Sequence, residues 1–199
     1  MSENKSKADM VYNCVSGKLH YINSISETGP GKAILAQLRR GAGKKPGELP
    51  ELWGMIFEKV PDELLGKNEV SYAEWAIYTA LTLYAVHRQG SDRDVDSKEV
   101  SLGQAAAELV HSEDDIERIM HRMNLVVTAV SKDDLAYHTR SLIQLLKSEN
   151  IGLDYARLSK ELYLFNYPEK AEVIKLRWGR DFYGVINNKN KKGDADNDQ

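Results

Sequence analysis

The sequence predicts an all-α protein of about nine helices, and three observations lead there. A serine-led start recurs at Ser71-x-x-Glu74, Ser101-x-x-Gln104, Ser112-x-x-Asp115 and Ser131-x-x-Asp134. In such a start the serine oxygen takes the N–H of the third residue on, and that residue's side chain returns to the serine N–H; Asp is a weaker partner than Glu or Gln. Each start is followed by apolar residues three or four apart. Between the apolar runs there is neither strict alternation nor an Asn-Gly hairpin, so no strand is expected.

Taken in order, Met10–Ile25 places Val11, Cys14, Val15 and Ile22 on one side, with Gly17 lowering helix propensity. Thr28-Gly29-Pro30 supplies a cap and an early proline for a helix ending near Arg40. A short helix is expected from Pro50, stopping before Pro61. The serine starts then open helices carrying Ala73/Ile77/Leu81/Tyr84, Leu102/Ala106/Leu109, Ile116/Met120/Met123/Val127 and Leu135/Leu142/Leu145/Leu146. Asp154 begins another (Leu158, Leu162, Phe165), and Pro168 opens the last, through about Val185. The polar, Asp-rich Gln89–Glu99 stretch is read as the boundary between an N-terminal half, residues 1–90, and a C-terminal bundle, residues 100–186. Asn187–Gln199 has no apolar residue except Ala195 and is expected to be disordered.

A chain of 199 residues with 42% hydrophobic and 29% charged composition suits one domain or two small ones. Cys14 is the single cysteine and cannot bridge internally, and no Cys/His cluster has zinc spacing. Met1–Asp9 is polar, with no apolar run behind it, and no stretch of about 18 apolar residues occurs, so the expectation is a soluble, cytoplasmic protein without a membrane partner. His20, His87, His111, His121 and His138 make no i, i+4 pair on a helix, and no His-Glu-x-x-His is present. The glycines of Gly29-x-Gly31 and Gly41-x-Gly43 lack the strand and lysine of a phosphate cradle. Glu113, Asp114, Asp115 and Glu117 form an acidic helix start, and His87 reads as a packed histidine. No catalytic residue, metal or cofactor is therefore expected.

The informative chemistry is basic. Between Glu27 and Glu48 the chain carries Lys32, Arg39, Arg40, Lys44 and Lys45 with no acidic residue, while the whole sums to −3. Arg39 and Arg40 in a last helical turn, followed by Gly41, make a sound C-terminus, since cations complement the helix dipole and glycine takes a left-handed cap. Lys44 and Lys45 lie beyond the dipole's reach and point to a polyanion. A pI near 6.0 argues against a general DNA-coating protein, so any nucleic-acid surface is a local patch. Further along, Arg118, His121 and Arg122 share one helix face, as do Arg140 and Lys147, and as do Lys170, Arg177 and Arg180. Structural uses compete: Asp114 can pair with Arg118 and Asp181 with Arg177. Trp178 and Phe182 read as core.

Several segments together resemble one family. They are Gln37-Leu38-Arg39-Arg40-Gly41, Glu74-Trp75-Ala76-Ile77-Tyr78 with Leu83-Tyr84-Ala85-Val86-His87, and Ser101-Leu102-Gly103. Ile151-Gly152-Leu153-Asp154-Tyr155-Ala156-Arg157-Leu158 and Arg177-Trp178-Gly179-Arg180-Asp181-Phe182-Tyr183 complete the set. In this order, from about residue 30 to 185, they resemble CasB, the small subunit of the type I-E CRISPR surveillance complex Cascade. The resemblance implies an all-helical protein in two halves, without enzymatic activity. It also implies partners: the backbone and large subunits of Cascade, guide RNA, target DNA and a second copy of the chain, head to tail. A basic surface would face target and displaced strand. Arg39 and Arg40 match the family's basic pair, Arg122 and Arg140 its first two C-terminal helices, and Arg177 and Arg180 flank the terminal aromatic element. Lys44, Lys45, Arg118 and Lys147 join this candidate nucleic-acid-binding set on charge and spacing. Relatives often have Glu, two basic residues and an aromatic where this chain has Met120-His121-Arg122-Met123, one permanent charge fewer here. The rival reading is a helical adaptor that binds only proteins, with Arg39 and Arg40 as caps and interface ion pairs.

Overall fold

The computed structural model describes residues 6–91 and 93–197, with side chains to residue 191. Among these residues there are nine α-helices and no strand. The helices are α1 (Lys7–Ile25), α2 (Gly29–Gly41), α3 (Trp53–Phe57), α4 (Tyr72–Arg88) and α5 (Leu102–Glu108), then α6 (Glu113–Val127), α7 (Lys132–Ser148), α8 (Tyr155–Leu164) and α9 (Pro168–Asn197). Short 3-10 turns at Pro50–Leu52 and Asp62–Leu64 flank α3. The all-α reading is correct.

The starts at Ser71 and Ser101 form as their sequences dictate, whereas at Ser131 the serine oxygen takes the Asp134 N–H without the return bond to the serine N–H. At α4 the Ser71 N–H donates to Glu74 Oε2 at 2.6 Å and the Glu74 N–H to Ser71 Oγ at 3.0 Å. Ser101 and Gln104 make the same reciprocal pair. Asp154 Oδ1 takes the Arg157 N–H at 2.8 Å to open α8. Another start departs from the sequence expectation: Ser6 accepts from the Asp9 N–H, so α1 begins at Lys7, three residues before Met10.

α4 is the centre of the molecule. Every residue from Trp75 to His87 is buried, as expected of a helix apolar all round. α1, α2, α7 and α8 pack against it, α8 also lies on α1, α6 packs on α7, and α9 packs on α5 and α8. Because α8 returns across α1 and α4, residues on both sides of the 89–99 stretch enter one contiguous core, from Val11 and Val15 to Leu158, Trp178 and Phe182.

The 89–99 stretch is pinned. The Leu153 N–H donates to Val95 O at 3.0 Å and the Ser97 N–H to Leu153 O at 3.1 Å. Asp96 Oδ1 accepts from the Tyr155 N–H, and Asp154 Oδ2 from the Glu99 N–H. Residue 152 must be glycine for this approach, since a Cβ there would fall 1.9 Å from Ser97 Oγ. The C-terminus also differs from the sequence expectation: from Asn187 to Asn197 the backbone continues α9, while Asp198 and Gln199 lie outside the described residues. Lys189 holds this extension down, donating to Ala107 O and Val110 O and pairing with Glu108 at 3.0 Å, where it meets the C-terminal carbonyls of α5.

Candidate nucleic-acid interface

The basic end of α2 is built against α4 and α7. Gly41 is the last helical residue, and its carbonyl accepts from the Tyr78 hydroxyl at 2.8 Å. A Cβ at Gly41 would lie 2.8 Å from Leu52 Cδ1 and from the Tyr78 hydroxyl, so glycine serves close packing here. The left-handed residue is Gly43, at φ +88, two positions later than the cap the sequence suggested. The Lys44 N–H closes the turn onto Gly41 O at 2.9 Å.

Arg140 secures this turn from α7. Its Nη1 donates to Ala42 O at 3.1 Å, and its Nε is buried without a partner among the described residues. Lys44, Lys45, Tyr137 and Arg140 thereby line one notch of about 430 Å³ over α4. Glu48, Asp133 and Asp134 line it too. Glu48 accepts the Lys45 N–H at 2.8 Å, and Asp134 accepts the Ser131 hydroxyl at 2.7 Å. Among the described residues no carboxylate lies within ion-pair distance of Lys44, Lys45 or Arg140.

Other members of the basic set divide. Arg122 reaches α7 and donates to Ser141 Oγ at 3.3 Å, beside Arg140 in the chain. Lys147, two turns along α7 from Arg140, donates to Gln89 Oε1 at 3.3 Å. Arg118 pairs with Asp115 at 2.6 Å rather than with Asp114, and this contact holds the Asp115 carboxyl down at about 2. Arg39 is half-buried, and Arg40 lies 3.6 Å from Glu51. Lys32 meets Glu27 at 3.7 Å. Counter-charges just outside the acid-free stretch therefore reach two of its five cations.

Arg177 and Arg180 stand apart, on α9. Arg177 approaches Glu161 at 3.7 Å, and Glu161 is buried, taking Arg157 Nε at 3.0 Å and Trp178 Nε1 at 2.7 Å. Burial pushes the Glu161 carboxyl up despite these donors. Asp181, expected for Arg177, is taken by Arg157 at 3.0 Å. Arg180 is exposed and has no carboxylate within ion-pair distance among the described residues. Trp178 and Phe182 are fully buried core. The basic set therefore resolves into Lys44, Lys45 and Arg140 at the notch, a separate α9 group of Arg177 and Arg180 tied partly to a buried acid, and Arg39, Arg40, Arg118, Arg122 and Lys147 outside both.

Among the described residues no helix is long and apolar enough to cross a membrane, and no three His, Cys, Asp or Glu gather as a metal site. His87, fully buried, shares a 2.8 Å hydrogen bond between Nδ1 and the Tyr155 hydroxyl, and burial pulls its pKa down to about 4.

Fold and surface together define an all-helical protein that presents basic residues around a turn-rimmed notch. The family profile of CRISPR-associated protein Cse2 matches residues 34–183, and the chain belongs to that family. It is similar to the crystal structure of CasB from Thermobifida fusca, with 32% identity, a TM-score of 0.76, and 87% of this chain and 97% of that one covered. The crystal structure of M. ruber CasB shares the fold at 23% identity and TM-score 0.69, covering 89% of this chain and 97% of that one. So does a chain of a CRISPR RNA-guided surveillance complex, at 18% identity and TM-score 0.71, covering 92% and 99%. A search of curated protein sequences returns no match.

Proposed function

We propose that this chain is the small, non-catalytic subunit of a type I-E CRISPR Cascade complex, and that the notch lined by Lys44, Lys45 and Arg140 contacts nucleic-acid backbone and stabilises the R-loop. One observation carries the second part: Arg140 crosses from α7 to the α2 turn and sets three cations around one notch without an ion-pair partner among the described residues. Such cations serve phosphate well, because backbone contacts need no sequence preference. The energetic demand is modest, since an R-loop exchanges a DNA duplex for an RNA–DNA duplex of similar stability. Reconstituting the complex with guide RNA tests both parts. Native mass spectrometry reports whether the chain assembles, at about two copies on the family's pattern, and the salt dependence of target retention reports phosphate contacts.

The adaptor reading keeps support at α9. Val173, Leu176 and Tyr183 are 53%, 54% and 47% exposed, share one helix face, and flank Arg180. An exposed apolar stripe of this kind suits a protein neighbour. With Arg177 committed to Glu161, the α9 face is assigned to subunit contact and the α7 notch to nucleic acid.

A further inference from the structure

Tyr137 lies on α7 three residues before Arg140, on the same helix face. Its side chain is 69% exposed, and it lines the notch that Lys44, Lys45 and Arg140 also line. An edge-to-face contact at 5.3 Å rests the ring against His138 without covering it. One exposed aromatic is ordinary on a protein surface. An exposed ring lining a notch beside Lys and Arg is an arrangement by which proteins hold single strands, with bases stacked on aromatics and phosphates on the cations. Here Glu48, Asp133 and Asp134 match the three cations in number.

We infer that the notch takes one unpaired nucleobase, stacked on Tyr137, with the flanking phosphates on Lys44, Lys45 and Arg140. The inference rests on the nucleic-acid reading above and narrows its ligand to a single strand, because bases within a duplex have both faces covered by their neighbours. The notch volume falls within the roughly 300–1,000 Å³ of small-ligand sites, ample for a base. Two of its three acidic lining residues agree with this orientation, while Glu48, which accepts the Lys45 N–H, lies at the lysine end. Asp133 and Asp134 stand in the first turn of α7, where they favour the helix dipole and repel phosphate, so the base and its N–H donors occupy that end.

Target retention by the reconstituted complex, measured over a salt series, decides the matter. Tyr137→Leu keeps helix propensity and apolar bulk but has no π-face; Tyr137→Phe keeps the ring. Stacking predicts that Tyr137→Leu weakens retention about five- to a hundred-fold with the salt slope unchanged, while Tyr137→Phe stays near the parent. The paired change Lys44→Ala/Lys45→Ala instead lowers the slope, by about 0.7 for each phosphate no longer neutralised. If Tyr137→Leu retains target like the parent while the lysine pair lowers the slope, stacking is overturned and the phosphate reading stands. If neither changes retention, both fall. A loss shared by Tyr137→Leu and Tyr137→Phe, with a lowered melting temperature, assigns Tyr137 to packing and also overturns the inference.

Discussion

Arg140 on α7 donates to the carbonyl of Ala42, 98 residues earlier in the chain, and so joins the basic end of α2 to the C-terminal bundle. Gly43 makes the approach possible: its φ of +88 is a glycine conformation, and a Cβ there would stand 3.3 Å from the Arg140 guanidinium. The notch is thus a product of tertiary folding.

Arg140→Ala is expected to cost about 1 kcal/mol of fold stability, the order of one partly exposed hydrogen bond, and to weaken target retention at every target sequence. Arg140→Lys retains the charge without the forked donor, so it should keep most of the salt slope while losing part of the stability. Chemical denaturation and salt-dependent retention on the same variants check this. A normal salt slope in Arg140→Ala would leave the residue as a structural clasp.

Glu161 should be the most sensitive charged position. It joins Arg157, Arg177 and the Trp178 N–H in a site of almost no exposure. Glu161→Ala strands those donors and is expected to cost about 3–5 kcal/mol, with Glu161→Gln costing less because it keeps an acceptor. Denaturant melts measure both. A Glu161→Ala loss below about 1 kcal/mol would contradict the network's role in fixing α8 to α9.

His87 predicts an acid-sensitive fold. Burial, helped by Lys147, lowers its pKa to about 4 from the ordinary 6.5. Between those values the unfolded chain binds a proton that the folded chain refuses, so stability falls as pH drops through this window, by up to about 3 kcal/mol. Above 6.5 the contribution is constant. His87→Gln should flatten that part of a stability–pH curve, and an unchanged curve would refute the assignment.

Legibility in the sequence follows the distance to the partner. Ser71 with Glu74 and Ser101 with Gln104 announce helix starts because donor and acceptor lie within three residues. Ser6 with Asp9 carries the same signal directly before Met10 and Val11, in the weaker form with Asp as the third-position partner, and its effect is to start α1 three residues earlier. The pinning of Asp96 and Glu99 depends on Leu153, Asp154 and Tyr155, more than fifty residues away, so in sequence the stretch resembles a linker. Spacing suggests Asp181 for Arg177, but Arg157 from α8 occupies that carboxylate, a competition that no single helix displays. Basic residues on helix faces are visible in the sequence. Which of them share a notch is not.

The claim that the notch holds nucleic-acid backbone is tested most directly by the salt dependence of target retention in the complex reconstituted with Lys44→Ala/Lys45→Ala. Neither side chain pairs with a described carboxylate and both are exposed, so folding and assembly should be undisturbed. Contact with single-stranded phosphate predicts weaker retention and a log–log salt slope shallower by about 1.4, from about 0.7 for each lysine. An intact complex with unchanged retention and slope would contradict the account and leave the chain a protein-binding adaptor.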